Sequence, residues 1–501
     1  MNARVADAEG RVGDAAAGYA RALGAAPGDT AVALRAYRQG LAAGDETLVR
    51  GAARTLAGTP AAPADLALIA LSNAARADDV AAFDTAIAAL DGGVLKIMAP
   101  SLRAWSALAR GADPSPALAA AGKAGTVAVR LAEETRALAA IARGDVAGGV
   151  ALIETLRAGG SPIDLRLAGG ELLFGQHRDV EARALLTGDD ALLVGMRAGA
   201  AARPGLAFGT ARLLVRVAAD LTGQGPTDLS IALTSAALRA DPRYDRARLL
   251  IAGALARDGA TDRALAVLAK VARSSPAADA ATTGRIAILA AANRDDEALA
   301  VARGAATERD ANAADWRAYA DRLAAANRFA EAASWYHRLV DAPATRASWS
   351  AWLQYGGALD RAGDWPGART ALQRAVALGP TEPLALNYLG YASAEHGDDL
   401  PRAIAMLARA RGLAPDNGSI VDSLGWAYRL GGDPARALPL IERAAAGDPA
   451  NAEIGEHLGD VYWLLGRRYE ARYAWAAAAL TAEQPDAARI VAKQATGLPP
   501  R

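Results

Sequence analysis

Apolar residues recur at helical spacing along most of the chain, and the clearest stripes lie near the C-terminus. Four successive segments there begin at Trp352, Leu386, Val421 and Ile454, and each carries two such stripes separated by a glycine. Apolar residues at positions i, i+3 and i+4 form one face of a helix, which can pack against a neighbouring helix. The pattern therefore predicts helix-turn-helix hairpins and an all-α fold.

Small residues mark each of these segments at three places. A glycine lies inside the first helix, a second glycine ends that helix, and an alanine opens the core face of the second helix. These residues are, in that order, Gly356, Gly390, Gly425 and Gly459; Gly363, Gly397, Gly432 and Gly466; Ala368, Ala403, Ala437 and Ala471. The alanines are 35, 34 and 34 residues apart. The first glycine allows close helix packing, and the second supplies the left-handed residue that ends a helix.

This skeleton resembles the tetratricopeptide repeat family. The segments Asn387–Tyr391 (NYLGY) and Asp422–Trp426 (DSLGW) are similar to those of large bacterial members, many of which are exported or envelope-associated assembly factors. The resemblance implies an α-solenoid, a right-handed superhelix in which the first helix of each repeat, helix A, lines a concave groove. It also implies a scaffold that binds a protein or peptide in that groove and catalyses no reaction.

The same phase can be followed towards the N-terminus and predicts about fourteen repeats. The expected small or core positions of the second helices are Ala332, Ala298, Ala264, Ser230, Ala182, Gly149, Pro116, Ala82, Val49 and Ala15. Asn293 and Asn327 replace the turn glycine, which is reasonable because asparagine tolerates the left-handed conformation. In such an array each hairpin is expected to bury its apolar face only against its neighbours.

The quality of the match changes along the chain and suggests five parts. Residues 1–186 are predicted to form degenerate hairpins, 187–205 an irregular connection, 206–315 better repeats, 316–480 well-matched repeats, and 481–501 a capping helix and tail. Only nine residues precede the turn at Gly10. Two hypotheses follow: a truncated first hairpin, or a natural start further upstream that carried an export signal. The protein is accordingly expected to be cytoplasmic as written, or periplasmic or envelope-associated with a longer N-terminus.

Composition narrows the possible functions. Lys+Arg and Asp+Glu are both 55, which gives a formal net charge of zero and argues against a dominant nucleic-acid-binding surface. An RNA-reading helical-repeat protein is kept as an alternative because one such class has a nearly identical period. The 501 residues include no cysteine, and no long apolar run without charges predicts a membrane span.

Motifs that carry catalysis or bind cofactors are not found. The four histidines, His177, His337, His396 and His457, are far apart and have no metal-ligand spacing. Gly122-Lys123 is followed by Ala124, which lacks the hydroxyl that a phosphate-binding loop uses for magnesium. We therefore expect no catalytic residue, cofactor or metal site. A second alternative is the non-catalytic leader of a glycosyltransferase-type enzyme.

The predicted partner groove lies in the last three repeats. Its expected residues are three positions before and one position after the helix-A glycine, with two more one turn further along: Asn387, Tyr391, Asp422, Trp426, Glu456, Asp460, Arg429 and Trp463. Carboxylates, an amide and aromatic rings could hold a peptide of positive or neutral charge. An equally weighted interpretation is that these side chains only pack and pair between repeats. Some members of the family bind a C-terminal carboxylate through lysines, which this groove lacks.

Overall fold

A computed structural model describes residues 2–222, 227–343 and 345–499 of the chain. All regular structure in these ranges is helical, with no strand. The chain divides into two compact units, Met1–Val301 and Ala302–Arg501. The predicted all-α repeat fold is confirmed, whereas the predicted five-part division of the chain stays a prediction.

The first unit contains eighteen complete α-helices within the described residues, and a nineteenth spans the boundary to the second unit. They are α1 (Asn2–Ala8), α2 (Val12–Ala25), α3 (Thr30–Ala43), α4 (Glu46–Leu56), α5 (Ala67–Ala77), α6 (Val80–Leu90), α7 (Ala99–Ala109), α8 (Ser115–Ala119), α9 (Thr126–Ala142), α10 (Val146–Ala158), α11 (Ile163–Gly175), α12 (Asp179–Leu185), α13 (Ala191–Met196), α14 (Leu206–Asp220), α15 (Thr227–Ala240), α16 (Asp245–Arg257), α17 (Thr261–Leu268), α18 (Ala278–Ala291) and α19 (Asp295–Thr307).

The second unit continues with helices of 11 to 14 residues. They are α20 (Ala313–Ala325), α21 (Phe329–Asp341), α22 (Trp349–Arg361), α23 (Trp365–Leu378), α24 (Pro383–Glu395), α25 (Leu400–Leu413), α26 (Gly418–Leu430), α27 (Pro434–Gly447), α28 (Ala452–Leu464), α29 (Arg468–Thr481) and α30 (Asp486–Thr496). From α20 onward the even-numbered helices up to α28 are helix A of a repeat. Helix α30 follows as the last helix of the chain.

Helix packing explains the glycines inside helix A. A Cβ atom on Gly356 would lie 2.7 Å from Leu372, and one on Gly425 would lie 2.6 Å from Ile441. Both distances are too short for carbon atoms in contact, so only glycine allows the two helices of a hairpin to approach this closely. The turn positions are confirmed as well, since Asn293 and Asn327 have φ values of 57° and 58°.

Two of the extrapolated positions near the N-terminus are wrong. Ala82 and Pro116 were expected on the core face of a second helix, and both are exposed. In α6 the neighbouring Phe83 is fully buried instead, with 0% of its surface exposed. The phase has therefore slipped by one residue at this helix, because a large aromatic side chain fills the space that a small residue was expected to occupy.

The first unit is built around a central hairpin formed by α14 and α15. Every residue of α14 from Phe208 to Ala218 is buried. Helix α14 contacts α5, α7 and α11, and α15 contacts α3 and α5, in addition to their neighbours along the chain. The expectation that each hairpin packs only against its sequence neighbours is therefore wrong for the first unit, in which distant helices surround this hairpin.

Charged residues of the central hairpin form ion pairs with the surrounding helices. Arg216 of α14 contacts Glu134 of α9 at 2.9 Å, and both side chains are buried. Arg239 of α15 contacts Glu46 of α4 at 2.8 Å across 193 residues of sequence. A buried arginine is tolerated where its charge is paired and hydrogen-bonded. These pairs fix how the central hairpin sits among its neighbours.

The predicted irregular segment contains one short helix, α13, and no helix between residues 197 and 205. At the C-terminus, the helix predicted at about residues 484–496 corresponds to α30. None of the described helices combines the length and the apolar character needed to cross a membrane.

Candidate functional site

Four helices of the second unit line one cavity of about 800 Å³. We call it the helix-A cavity, because α24, α26 and α28 are helix A of successive repeats and α30 takes the next position. Its main lining residues are Tyr391 and Glu395 of α24, Trp426 and Arg429 of α26, Glu453, Glu456, His457 and Asp460 of α28, and Arg489, Ile490 and Lys493 of α30, with Glu483 from the connection before α30.

The repeat explains why these side chains converge. Tyr391, Trp426, Asp460 and Lys493 follow one another at intervals of 35, 34 and 33 residues. Residues one repeat apart occupy equivalent places on stacked helices, so they form a row across the cavity wall. Helix α30 continues the row, but it contributes basic residues where the preceding helix carries acidic ones.

The predicted groove residues divide into two groups. Five of the eight line the helix-A cavity: Tyr391, Trp426, Arg429, Glu456 and Asp460. The other three, Asn387, Asp422 and Trp463, do not line it. Asn387 is half-buried, and its side-chain oxygen has no hydrogen-bond partner among the described residues. Trp463 lies under the guanidinium of Arg468, 3.8 Å from its carbon, and packs near Trp475 at the end of the unit.

The indole of Trp426 is covered on both faces. The ring of His457 stacks on it at 3.7 Å between centroids, and the guanidinium carbon of Arg429 lies 4.3 Å from its centroid. Two groups this close to one ring cannot share a face. The indole N–H donates a hydrogen bond to Glu395, and only 8% of the residue is exposed. Trp426 therefore organises the cavity wall and has little surface left for stacking on a partner.

His457 and Asp422 form a buried pair behind this wall. The Nδ1 atom of His457 lies 2.8 Å from Oδ2 of Asp422. Burial lowers the pKa of His457, but the charge of Asp422 and this hydrogen bond outweigh it and raise the pKa above the usual value. The imidazolium therefore persists to higher pH than usual, and stacking places its charge over Trp426. Its stabilisation is complete below the pKa of the unfolded state and is lost as pH rises through the raised folded value.

Glu456 and Asp460 are held by the last helix. Lys493 Nζ lies 2.6 Å from Glu456 and 2.7 Å from Asp460, and Arg489 also contacts Glu456. Trp475 Nε1 donates a further hydrogen bond of 3.0 Å to Asp460. Both carboxylates are almost fully buried, at 4% and 1% exposed. Their charges are compensated within the chain, so they stabilise the docking of α30.

A hydrogen bond spans the cavity between helices two repeats apart. The hydroxyl of Tyr391 donates to Oε1 of Glu453 at 3.0 Å, which links α24 to α28 past the intervening α26. Burial raises the pKa of Tyr391, and the negative charges of Glu453 and Glu395 raise it further. The hydroxyl therefore keeps its proton and acts as a donor between two carboxylates.

Models of the tetratricopeptide repeat match the chain at residues 223–279, 349–394 and 423–488. The last two matches cover helices that build the helix-A cavity. The chain is a tetratricopeptide-repeat protein. No curated protein matches it.

Several solved structures are similar to this tetratricopeptide-repeat protein at low identity. A tetratricopeptide repeat protein from Parabacteroides merdae is 13% identical, with a TM-score of 0.42, over 57% of this chain and 99% of that one. A thermophilic protein of the same repeat family from Thermus thermophilus is 20% identical, with a TM-score of 0.33, over 37% and 98%. The Cut9-Hcn1 hetero-tetramer of the APC/C contributes a chain that is 16% identical, with a TM-score of 0.41, over 98% and 95%.

Sequence reasoning missed several cavity residues of this tetratricopeptide-repeat protein. It considered two positions around each helix-A glycine, whereas Glu395 lies five residues after Gly390 and Glu453 lies six residues before Gly459. These positions reach the cavity because it extends to both ends of the helices. Extending the row by one repeat length from Asp460 would have identified Lys493.

Proposed function

We propose that the protein holds a segment of a partner protein in the helix-A cavity and acts as a scaffold rather than as a catalyst. Tetratricopeptide repeats generally mediate protein–protein interactions. The single observation that carries the proposal is the cavity of about 800 Å³ formed by four successive helices. Binding sites are typically concave and have volumes of about 300–1,000 Å³.

The first unit supports the choice of this site. Its helices surround the central hairpin α14–α15, so the surface where a partner would lie against them is occupied by the chain itself. The second unit has no comparable inserted hairpin among its described residues, and its helix-A faces line an open cavity. The partner-binding role of the predicted groove residues thus becomes a proposal for the cavity as a whole.

The charge of the cavity favours a protein over RNA. Its described lining includes more carboxylates than basic groups, and a nucleic-acid phosphate backbone needs a positive surface. No observation favours the leader of a glycosyltransferase-type enzyme. An envelope-associated assembly or adaptor role stays a prediction.

Filling the cavity tests the proposal. Ala452 lines it at the start of α28, and we expect Ala452→Trp to reduce recovery of bound partner by about tenfold or more, because the indole occupies the space of the bound segment. The measurement is affinity purification of the tagged full chain from the cells that natively produce it, with quantitative mass spectrometry of co-purified proteins.

The control is Ala435→Trp, the same change at an exposed position of α27 outside the cavity. Both variants should show the circular dichroism and the denaturation midpoint of the wild-type protein. Proteins that bind the wild type and the Ala435 variant, but not the Ala452 variant, support the proposal. An identical set of proteins on all three would rule out the cavity as the holding site.

A further inference from the structure

Negative charge prevails in the helix-A cavity, and only part of it is neutralised by the chain. Six carboxylates and three guanidinium or ammonium groups lie among its described lining residues. The basic groups of α30 pair with Glu456, Asp460 and Asp486. The other three carboxylates, Glu395, Glu453 and Glu483, are in no ion pair within the described residues, and all three are exposed.

Neutral donors hold two of these three carboxylates in place. The indole N–H of Trp426 donates to Oε1 of Glu395, and the hydroxyl of Tyr391 donates to Oε1 of Glu453. A carboxylate has about four acceptor sites on its two oxygens, so each group keeps an oxygen that can accept from a ligand. A neutral donor orients a carboxylate but leaves its charge uncompensated. The two groups are therefore fixed in position and still negative.

The cavity wall also limits how these charges can be satisfied from within. The guanidinium of Arg429 lies over Trp426, and the ammonium of Lys493 bridges Glu456 and Asp460. These cations already have buried or aromatic partners, and moving Lys493 would leave two nearly buried carboxylates without compensation. A cation for Glu395, Glu453 and Glu483 is more readily supplied by a ligand.

We propose that the helix-A cavity receives a cationic side chain, arginine or lysine, from the partner segment, and that Glu395, Glu453 and Glu483 bind it. This inference rests on the proposed function and names the chemistry of the segment that the cavity holds. The argument is charge complementarity: charge-assisted hydrogen bonds are stronger than neutral ones, and arginine can bind a carboxylate through two parallel bonds. The row of acidic residues expected from the sequence, Asp422, Glu456 and Asp460, has internal partners and is not the cation site.

Peptides of unspecified sequence provide the probe, since the natural partner need not be known. A random-peptide library displayed on phage is selected on the full chain, and the enriched peptides are synthesised with a fluorophore. Binding is measured by fluorescence anisotropy to the wild type, to Ala452→Trp, and to the triple variant Glu395→Gln, Glu453→Gln and Glu483→Gln. Glutamine keeps the acceptor for Tyr391 and Trp426 but removes the charge.

A second triple variant controls for the change in net charge. Glu331→Gln, Asp416→Asn and Glu470→Gln remove three exposed carboxylates of the same unit that lie outside the cavity. The proposal predicts enrichment of arginine or lysine among peptides that Ala452→Trp excludes. These peptides should bind the cavity triple variant about tenfold or more weakly and the control variant unchanged, because only the first set of charges lies within contact distance of the ligand.

The outcomes separate this inference from the proposed function. Peptides that Ala452→Trp excludes, but that lack basic residues or bind the cavity triple variant unchanged, overturn the cationic site and leave the holding role intact. A selection that yields only peptides indifferent to Ala452→Trp, or no binding peptide at all, overturns both.

Discussion

Replacing Arg212 with alanine is expected to lower the free energy of unfolding of the first unit by about 3–5 kcal/mol, the usual cost of removing one partner of a buried ion pair. Arg212 lies on α14 at the centre of that unit and is 7% exposed. Its guanidinium contacts Glu171 at 2.9 Å and Asp241 at 2.5 Å, and its carbon lies 3.9 Å from the ring centroid of Tyr244. The variant loses the contacts on both sides of this side chain.

The larger part of the cost comes from the residue left behind. Burial raises the pKa of Glu171 even in the native protein, where Arg212 opposes that effect. Without the guanidinium, a charged Glu171 has no compensating cation and is driven to take up a proton. The destabilisation should therefore be largest at neutral pH and smaller in acid, where the protonated carboxyl carries no charge to bury.

Urea unfolding followed by hydrogen exchange of peptides from residues 206–222 and 227–240 measures this effect. The control is Arg294→Ala, which removes an arginine of an exposed ion pair with Glu297 and is expected to change little, since exposed pairs contribute little. Equal losses in the two variants would show that the pairs around the central hairpin do not hold the first unit together.

Trp475→Ala is expected to destabilise the second unit by about 3–5 kcal/mol, as for other large-to-small changes at buried aromatic residues. Trp475 is fully buried between α28, α29 and α30, where it packs with Ala471, Ala478 and Ile490. Its ring fills the space opposite Gly459, which has no side chain. Truncation leaves a cavity at the point where the last helix docks.

Trp475→Phe separates packing from hydrogen bonding in this prediction. Phenylalanine keeps most of the ring volume but removes the N–H that donates to Asp460. Since Lys493 still contacts Asp460, we expect a loss of only about 1–2 kcal/mol. Chemical denaturation with hydrogen exchange of peptides from α28 to α30 provides the measurement. A loss for the alanine variant as small as that for phenylalanine would contradict the packing argument.

The repeat of the second unit could be predicted from the sequence because each mark reports a local requirement. Gly390 and Gly425 are required by contacts with Leu407 and Ile441, which lie within the same hairpin. Gly397 and Gly432 are required by backbone conformation, with φ values of 69° and 78°. Such requirements depend on nearby sequence, so their spacing alone revealed the hairpins.

The central hairpin of the first unit could not be predicted in this way. Arg212 and Arg216 occupy α14 at the spacing of a solvent-facing edge, and their acidic partners lie 41 and 82 residues away in sequence. Pairing over such distances leaves no periodic signal. The slip at Ala82 has a similar origin, because the size of the neighbouring Phe83 is decided by packing between helices.

The candidate cavity was predicted only in part. Position within a repeat identified Tyr391, Trp426 and Arg429 as residues of one surface, and the structure brings them together. It did not distinguish carboxylates with internal partners, such as Glu456, from those without, such as Glu453. That distinction depends on the basic residues of α30, which follow the last recognisable repeat.

The most direct test of a partner held in the helix-A cavity is photocrosslinking from inside and outside it. The photoreactive residue p-benzoylphenylalanine is placed at Tyr391 in the cavity or at Tyr473 on the exposed face of α29, in cells that natively produce the protein. Covalent adducts with a partner are then quantified by mass spectrometry. We predict adducts from position 391 that disappear when Ala452→Trp is added, and none from position 473. Adducts from position 473 alone, or adducts from position 391 that persist with Ala452→Trp, would contradict the assignment of the cavity as the partner site.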